Sequence, residues 1–149
     1  MPTSTRLSAS EDSTWRTLLR AHDELLERID ADLLAGAELS LGEFEVLDHL
    51  AAAPDQQIRM NELAVLTRLS PSGLTRRFDA LVRRGWVTRT KAAQDGRGIL
   101  AGITAKGLAK VKSARPLHDA AVRTHLFGQL SPQQAGDLAA VVQRLVEHD

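Results

Sequence analysis

Ser70-Pro71-Ser72-Gly73-Leu74-Thr75-Arg76-Arg77, preceded by Asn61-Glu62-Leu63-Ala64 and followed by Gly85-Trp86-Val87-Thr88-Arg89-Thr90, decides how this chain folds. Ser70 reads as a helix cap with Pro71 at the first helical position, where the missing N–H is no loss. Asn61 opens a shorter helix ahead of a tight turn. Gly85 stops the arginine-bearing helix, Trp86 begins a strand, and Ile99–Ile103 pairs with it across a tip made by Asp95-Gly96-Arg97-Gly98. A helix, a turn, a second helix and a basic hairpin in this order make a winged helix-turn-helix. That arrangement puts one helix in a major groove and a wing arginine in the adjacent minor groove.

Charge points the same way. The formal net charge is zero, but residues 1–58 hold 4 basic and 12 acidic side chains, whereas residues 59–97 hold 9 basic and 3 acidic ones. Residues 98–149 add 6 basic and 4 acidic side chains. A basic block confined to the helix-turn-helix and wing is the electrostatic footprint of a polyanion partner. The other class of function, a winged-helix module that docks on protein without operator recognition, has no need of that concentration.

Composition narrows the remaining classes. The 149 residues are 43% hydrophobic and 26% charged, which suits a globular chain. There is no cysteine, so disulfides, thiolate metal sites and thiol redox chemistry are excluded. No apolar run nears the roughly 18 residues of a spanning helix, and the Ser/Thr-rich start lacks the apolar core of a signal peptide. A cytoplasmic protein with no membrane partner is expected. The five histidines, His22, His49, His118, His125 and His148, show no helical metal-pair spacing. No phosphate loop, nucleophile elbow or catalytic carboxylate pair appears, so neither an enzyme, a metal nor a cofactor is expected.

Outward from the decisive stretch, apolar spacing predicts further helices. Trp15, Leu18, Leu19, His22, Leu25, Leu26, Ile29 and Leu33 form one stripe on a helix of about 20 residues that starts near Glu11-Asp12 and breaks around Gly36. Ser40 caps a second helix carrying Phe44, Leu47, Leu50 and Ala51, ended by Ala53-Pro54. The third spans about Met60 to Thr67. In the fourth, Leu74, Phe78, Leu81 and Val82 face inward, while Ser72, Arg76, Asp79 and Arg83 face outward. Thr104-Ala105-Lys106-Gly107 starts a fifth helix reaching about Leu130, kinked at Pro116, and Ser131-Pro132 starts a sixth with Leu138, Val141, Val142, Leu145 and Val146 on one side. The expected fold is mostly α with a small β wing. Residues 1–11 form a tail, and 12–149 a single domain. In it a winged helix-turn-helix at about 41–103 is flanked by dimerisation helices at about 12–35 and 104–148. Those flanking helices carry more apolar stripe than one small winged domain can cover, which implies a homodimer.

From Trp15 to Glu147 this order of elements resembles the MarR family of bacterial transcription regulators. Its specific part is Glu62-Leu63-Ala64, the run Ser70 to Arg76, Leu81 to Val87, Asp95-Gly96-Arg97 and Ile103-Thr104-Ala105-Lys106-Gly107. Many members carry Asp-Arg-Arg at the wing, where this chain has Gly96 in the middle place. The resemblance implies a homodimer on a pseudo-palindromic operator in double-stranded DNA, often released by a small aromatic acid, and hence a ligand-responsive repressor. It also implies that Asp95 braces the wing and Arg97 enters the groove.

Site residues follow. Arg76 can give a guanine two hydrogen bonds, and Ser70, Ser72 and Thr75 are short enough to sit against base edges or phosphates. Arg77, Arg83, Arg84, Arg89 and Lys91 are expected on phosphates, which position without reading sequence. For an effector, members answering to aromatic carboxylates resemble this chain in Arg16 and, six residues on, His22 after Ala21. Arg16 would hold the carboxylate, His22 a second polar group, and Trp15 with Leu19 the ring wall. The plainer alternative makes Trp15 and His22 dimer-core residues and Arg16 a surface ion pair.

Overall fold

The computed structural model describes residues 5–92 and 98–147. The first helix, α1, runs Ala9–Ala37, 29 residues rather than about 20. Its start lies upstream of Asp12 because Ser8 and Glu11 cap each other: Glu11 N–H donates to Ser8 Oγ at 3.2 Å, and Ser8 N–H donates to Glu11 Oε2 at 2.7 Å. Those Ser8 hydrogen bonds hold the Glu11 carboxyl below its ordinary pKa range. The helix breaks around Gly36 as expected, one residue past it. Leu117 packs 3.1 Å from where a Cβ on Gly36 would stand, so the glycine serves close approach. The stop comes at Glu38, whose φ is 53°.

Ser40 and Glu43 form a full capping box on α2 (Leu41–Ala52). This helix buries Leu41, Phe44, Val46, Leu47 and Leu50, a wider face than the stripe predicted. After it comes β1 (Gln57–Arg59), a strand the sequence did not announce, since three residues are too few to show alternation. Then follow α3 (Met60–Leu66), α4 (Pro71–Arg83), β2 (Val87–Lys91) and β3 (Ile99–Ile103). The sheet is antiparallel in the order β1-β3-β2, with Ile58 opposite Ala101, Val87 opposite Ile103 and Lys91 opposite Ile99. Trp86 precedes the strand it was expected to begin.

Helix α5 (Ala105–His125) ends five residues short of Leu130, and a 3₁₀ turn over Phe127–Gln129 leads to α6 (Pro132–Val146). Its start explains the Thr104-x-x-Gly107 pattern. Thr104 Oγ1 donates to Gly85 O at 2.6 Å, and Thr104 N–H to Trp86 O at 3.0 Å. Gly107 N–H in turn donates to Thr104 Oγ1 at 3.0 Å. A Cβ on Gly107 would stand 2.2 Å from Trp86 O, so no other residue fits.

The chain divides into two compact units. Asp30–Ala120 holds the core, built on Leu33, Leu39, Phe44, Leu47, Leu50, Leu63, Leu74, Phe78 and Leu81. Val82, expected inside, is 37% exposed because it falls at the edge of the buried face of α4. The other unit, Met1–Ile29 with Ala121–Asp149, buries Ile29 and Ala121 among its described residues. It exposes Trp15, Leu18, Leu19, Phe127, Val141, Val142, Leu145 and Val146.

Candidate nucleic-acid interface

Local chemistry sets the turn between α3 and α4. Thr67 is buried, yet its hydroxyl is satisfied, donating to Leu63 O at 2.7 Å. Arg68 takes a left-handed φ of 56°, and its guanidinium reaches Glu45 of α2 at 3.2 Å. Leu69 N–H donates to Ala64 O at 3.0 Å. Ser70 Oγ then accepts from Gly73 N–H at 3.1 Å, as its role of cap requires, and Pro71 holds the first helical position. Leu74, Phe78 and Leu81 anchor α4 in the core, which turns the opposite face outward.

On that face Ser72, Thr75, Arg76 and Arg83 are exposed, and neither Arg76 nor Arg83 has an ion pair among the described residues. Thr75 Oγ1 donates to Pro71 O at 2.9 Å, so its lone pairs remain to accept from outside. Ser72 Oγ lies 3.4 Å from Ser70 Oγ. A groove is lined by Leu69, Gly73, Arg76 and Arg77. Arg77 is half-buried, its guanidinium laid over Gly42 of α2, where a Cβ would collide with it.

Two further arginines have partners inside the fold. Arg89 of β2 pairs with Asp79 of α4 and donates to Thr75 O at 3.4 Å, with its guanidinium 5.1 Å from the Phe78 ring centre. From the outer side of α4, Asp79 thus ties the wing strand to that helix. Arg84 donates to Glu38 O at 3.2 Å and lies 4.5 Å from the Trp86 ring centre. Lys91 is exposed on β2. Asp95 and Arg97 lie outside the described residues. Arg59 belongs to the basic block, but a three-residue strand shows no alternation from which the sequence could place it at the site. Pairing with β3 brings its guanidinium to the wing base, 3.4 Å from where a Cβ on Gly98 would stand.

The effector residues all lie on α1. Arg16 Nε holds Asp12 Oδ2 at 2.8 Å, and His22 Nδ1 lies 3.1 Å from Asp23 Oδ1. Trp15 and Leu19 are 52% and 46% exposed. A shallow groove on the same helix is lined by Ser13, Thr14, Thr17, Leu18 and Ala21, and so contains none of the four. Among the described residues no cluster of His, Asp or Glu could hold a metal ion, and no helix is long and apolar enough to cross a membrane.

Known proteins share this architecture. A family model described as MarR family matches residues 38–98, the stretch from the end of α1 to the start of β3. The chain is 33% identical over 84 residues to the HTH-type transcriptional repressor YetL of Bacillus subtilis (strain 168). That match takes in 56% of this chain and about half of YetL, 50% of its length. Among solved structures it is similar to Sco3205, a MarR family transcriptional regulator from Streptomyces coelicolor in complex with DNA. The TM-score is 0.88 and the identity 29%, over 99% of this chain and 92% of that one. AbsC, another MarR family regulator from Streptomyces coelicolor, matches with a TM-score of 0.85 and 28% identity over 97% of both chains.

Proposed function

Since this chain belongs to the MarR family, we propose that it is a sequence-specific DNA-binding transcription regulator whose recognition element is α4 and whose second contact is the β2–β3 wing. The observation that carries this is the outer face of α4. A capped, core-anchored helix presents Ser72, Thr75, Arg76 and Arg83 to solvent, with Arg76 and Arg83 free of acidic partners among the described residues. Arg76 reads a base edge, and Arg83, Lys91 and Arg97 meet phosphates and the minor groove. Arg77, Arg84 and Arg89 have other work inside the fold. The test is fluorescence anisotropy with the DNA upstream of the gene and a scrambled duplex, across a salt series. Specific binding with a log–log salt slope of about −0.9 per phosphate contacted is expected. Equal affinity for both duplexes defeats the operator part of the proposal.

A homodimer that acts as a repressor completes it. Among its described residues the terminal unit buries two apolar side chains and exposes Trp15, Leu18, Leu19, Val141, Val142, Leu145 and Val146, so a second copy is the natural cover. The effector is a small aromatic carboxylate at Trp15, Arg16, Leu19 and His22. Arg16 already holds Asp12, so an incoming carboxylate has to take that guanidinium over. Calorimetric titration of hydroxybenzoates into wild type and Arg16→Ala tests this. Binding by wild type that Arg16→Ala loses supports the site; equal binding by both moves it elsewhere.

A further inference from the structure

At one place in the 30–120 unit, the end of α4, the start of the wing and the end of α1 are tied through a single ring. Trp86 is buried, with Arg84 Cζ 4.5 Å and Lys110 Nζ 5.3 Å from its ring centre. The same two cations continue to the last carbonyls of α1: Arg84 Nη1 donates to Glu38 O at 3.2 Å, and Lys110 Nζ donates to Ala37 O. Helix α1 has no basic residue in its own last turn. The positive charge favoured at the negative end of its dipole therefore comes from the C-cap of α4 and from α5. Arg84 also lies 3.5 Å from Glu43 Oε2, the carboxylate that closes the α2 cap. Thr104 and Gly107 clamp the Trp86 backbone from α5. Glu38, a non-glycine residue at φ 53°, sits where Arg84 grips it. Left-handed backbone of this kind persists where its surroundings over-determine it.

We propose that Arg84, Trp86 and Lys110 are positioning residues that fix the orientation of α4 and β2 on the last turn of α1, and thereby set which half-site spacing the protein accepts. This rests on the DNA-binding and homodimer proposals above. It gives Arg84 a role distinct from a phosphate contact, because a phosphate contact strengthens binding to every duplex alike whereas a positioning contact discriminates between spacings.

The probe is a palindromic duplex enriched from a random-sequence pool by wild-type protein, together with the same duplex carrying one base pair inserted at its centre. The insertion turns the half-sites by roughly 35° and separates them by roughly 3.4 Å more. Wild type should prefer the parent duplex by about tenfold or more, the range of ordinary coupling between sites. Arg84→Met with Lys110→Met should shrink that ratio to within about threefold, while Arg84→Lys, which keeps a cation over the ring, should retain it. An unchanged ratio in the double variant, with both duplexes weakened equally, makes Arg84 a phosphate contact and overturns the proposal. If the double variant melts below the assay temperature, Lys110→Met alone and Trp86→Phe are measured against the same criterion. A wild-type ratio in both overturns the proposal, and a reduced ratio in either supports it. If wild type enriches no duplex, the DNA-binding proposal itself has failed, which is seen before any variant is made.

Discussion

Arg76 and Arg89 belong to one basic block, yet their neighbours give them different work. Arg76 stands exposed on α4 without an ion pair among the described residues, whereas Arg89 is held by Asp79 and by Thr75 O. Arg76→Ala should therefore cost about 1–3 kcal/mol on the operator and relax preference at one base pair. Anisotropy against a set of single-position operator variants measures both effects. Asp79→Asn should do something else. It removes a negative charge from the face of α4 and releases Arg89, so non-specific affinity should rise and the salt slope steepen by about 0.9. The exposed Asp79–Arg89 pair itself contributes little stability, ~0–1 kcal/mol. An unchanged salt slope in Asp79→Asn means that Arg89 does not reach phosphate even when released. Sequence showed the surplus of arginine in this block but not which ones were already engaged, because engagement depends on residues remote in the chain.

At the level of elements, the legible signals were the caps. Ser40, Ser70 and Ser131 each start a helix where expected, since a hydroxyl acts on an N–H three residues on and needs nothing beyond it. Ser70→Ala should lower stability by about 1 kcal/mol, read as a shift in the urea midpoint at constant m-value. Boundaries failed where a second element decided them. Helix α5 was expected to reach about Leu130 but stops at His125, ahead of a 3₁₀ turn over Phe127–Gln129. β1 exists through its pairing with β3, which three residues cannot announce. Gly107 is the strictest position at this scale: Gly107→Ala sets a methyl 2.2 Å from Trp86 O, an overpacking that should cost about 1–3 kcal/mol or more. Denaturation at wild-type midpoint in that variant contradicts the clamp between α5 and the wing.

For the molecule as a whole, the 30–120 unit carries its own core, while the terminal unit buries little apart from Ile29 and Ala121 among its described residues. Small units with so little buried apolar surface do not pay for the ordering of their chain alone. The 149-residue chain is therefore expected to have twice its own mass by light scattering, with a melting temperature that rises with protein concentration. Truncation after Ser131 removes α6 with Val141, Val142, Leu145 and Val146, and should leave aggregated or poorly folded protein. A well-folded monomer of the untruncated 149-residue chain at micromolar concentration contradicts the dimer.

By itself the sequence determined the helix-turn-helix, the wing strands, the basic block that singles out this segment and the likeness to a regulator family. All of these rest on caps, proline, glycine, periodicity and local charge, which act within a few residues. Tertiary structure alone decided which cations stay available. Arg84 meets Glu38 across 46 positions of sequence and Lys110 meets Ala37 across 73, joining helix ends whose own sequences carry no sign of each other. The physical reason is that a guanidinium or an ammonium carries the same charge wherever it stands in a sequence. Whether that charge caps a helix, covers a ring or faces solvent depends on the carbonyls, carboxylates and rings that folding brings within reach.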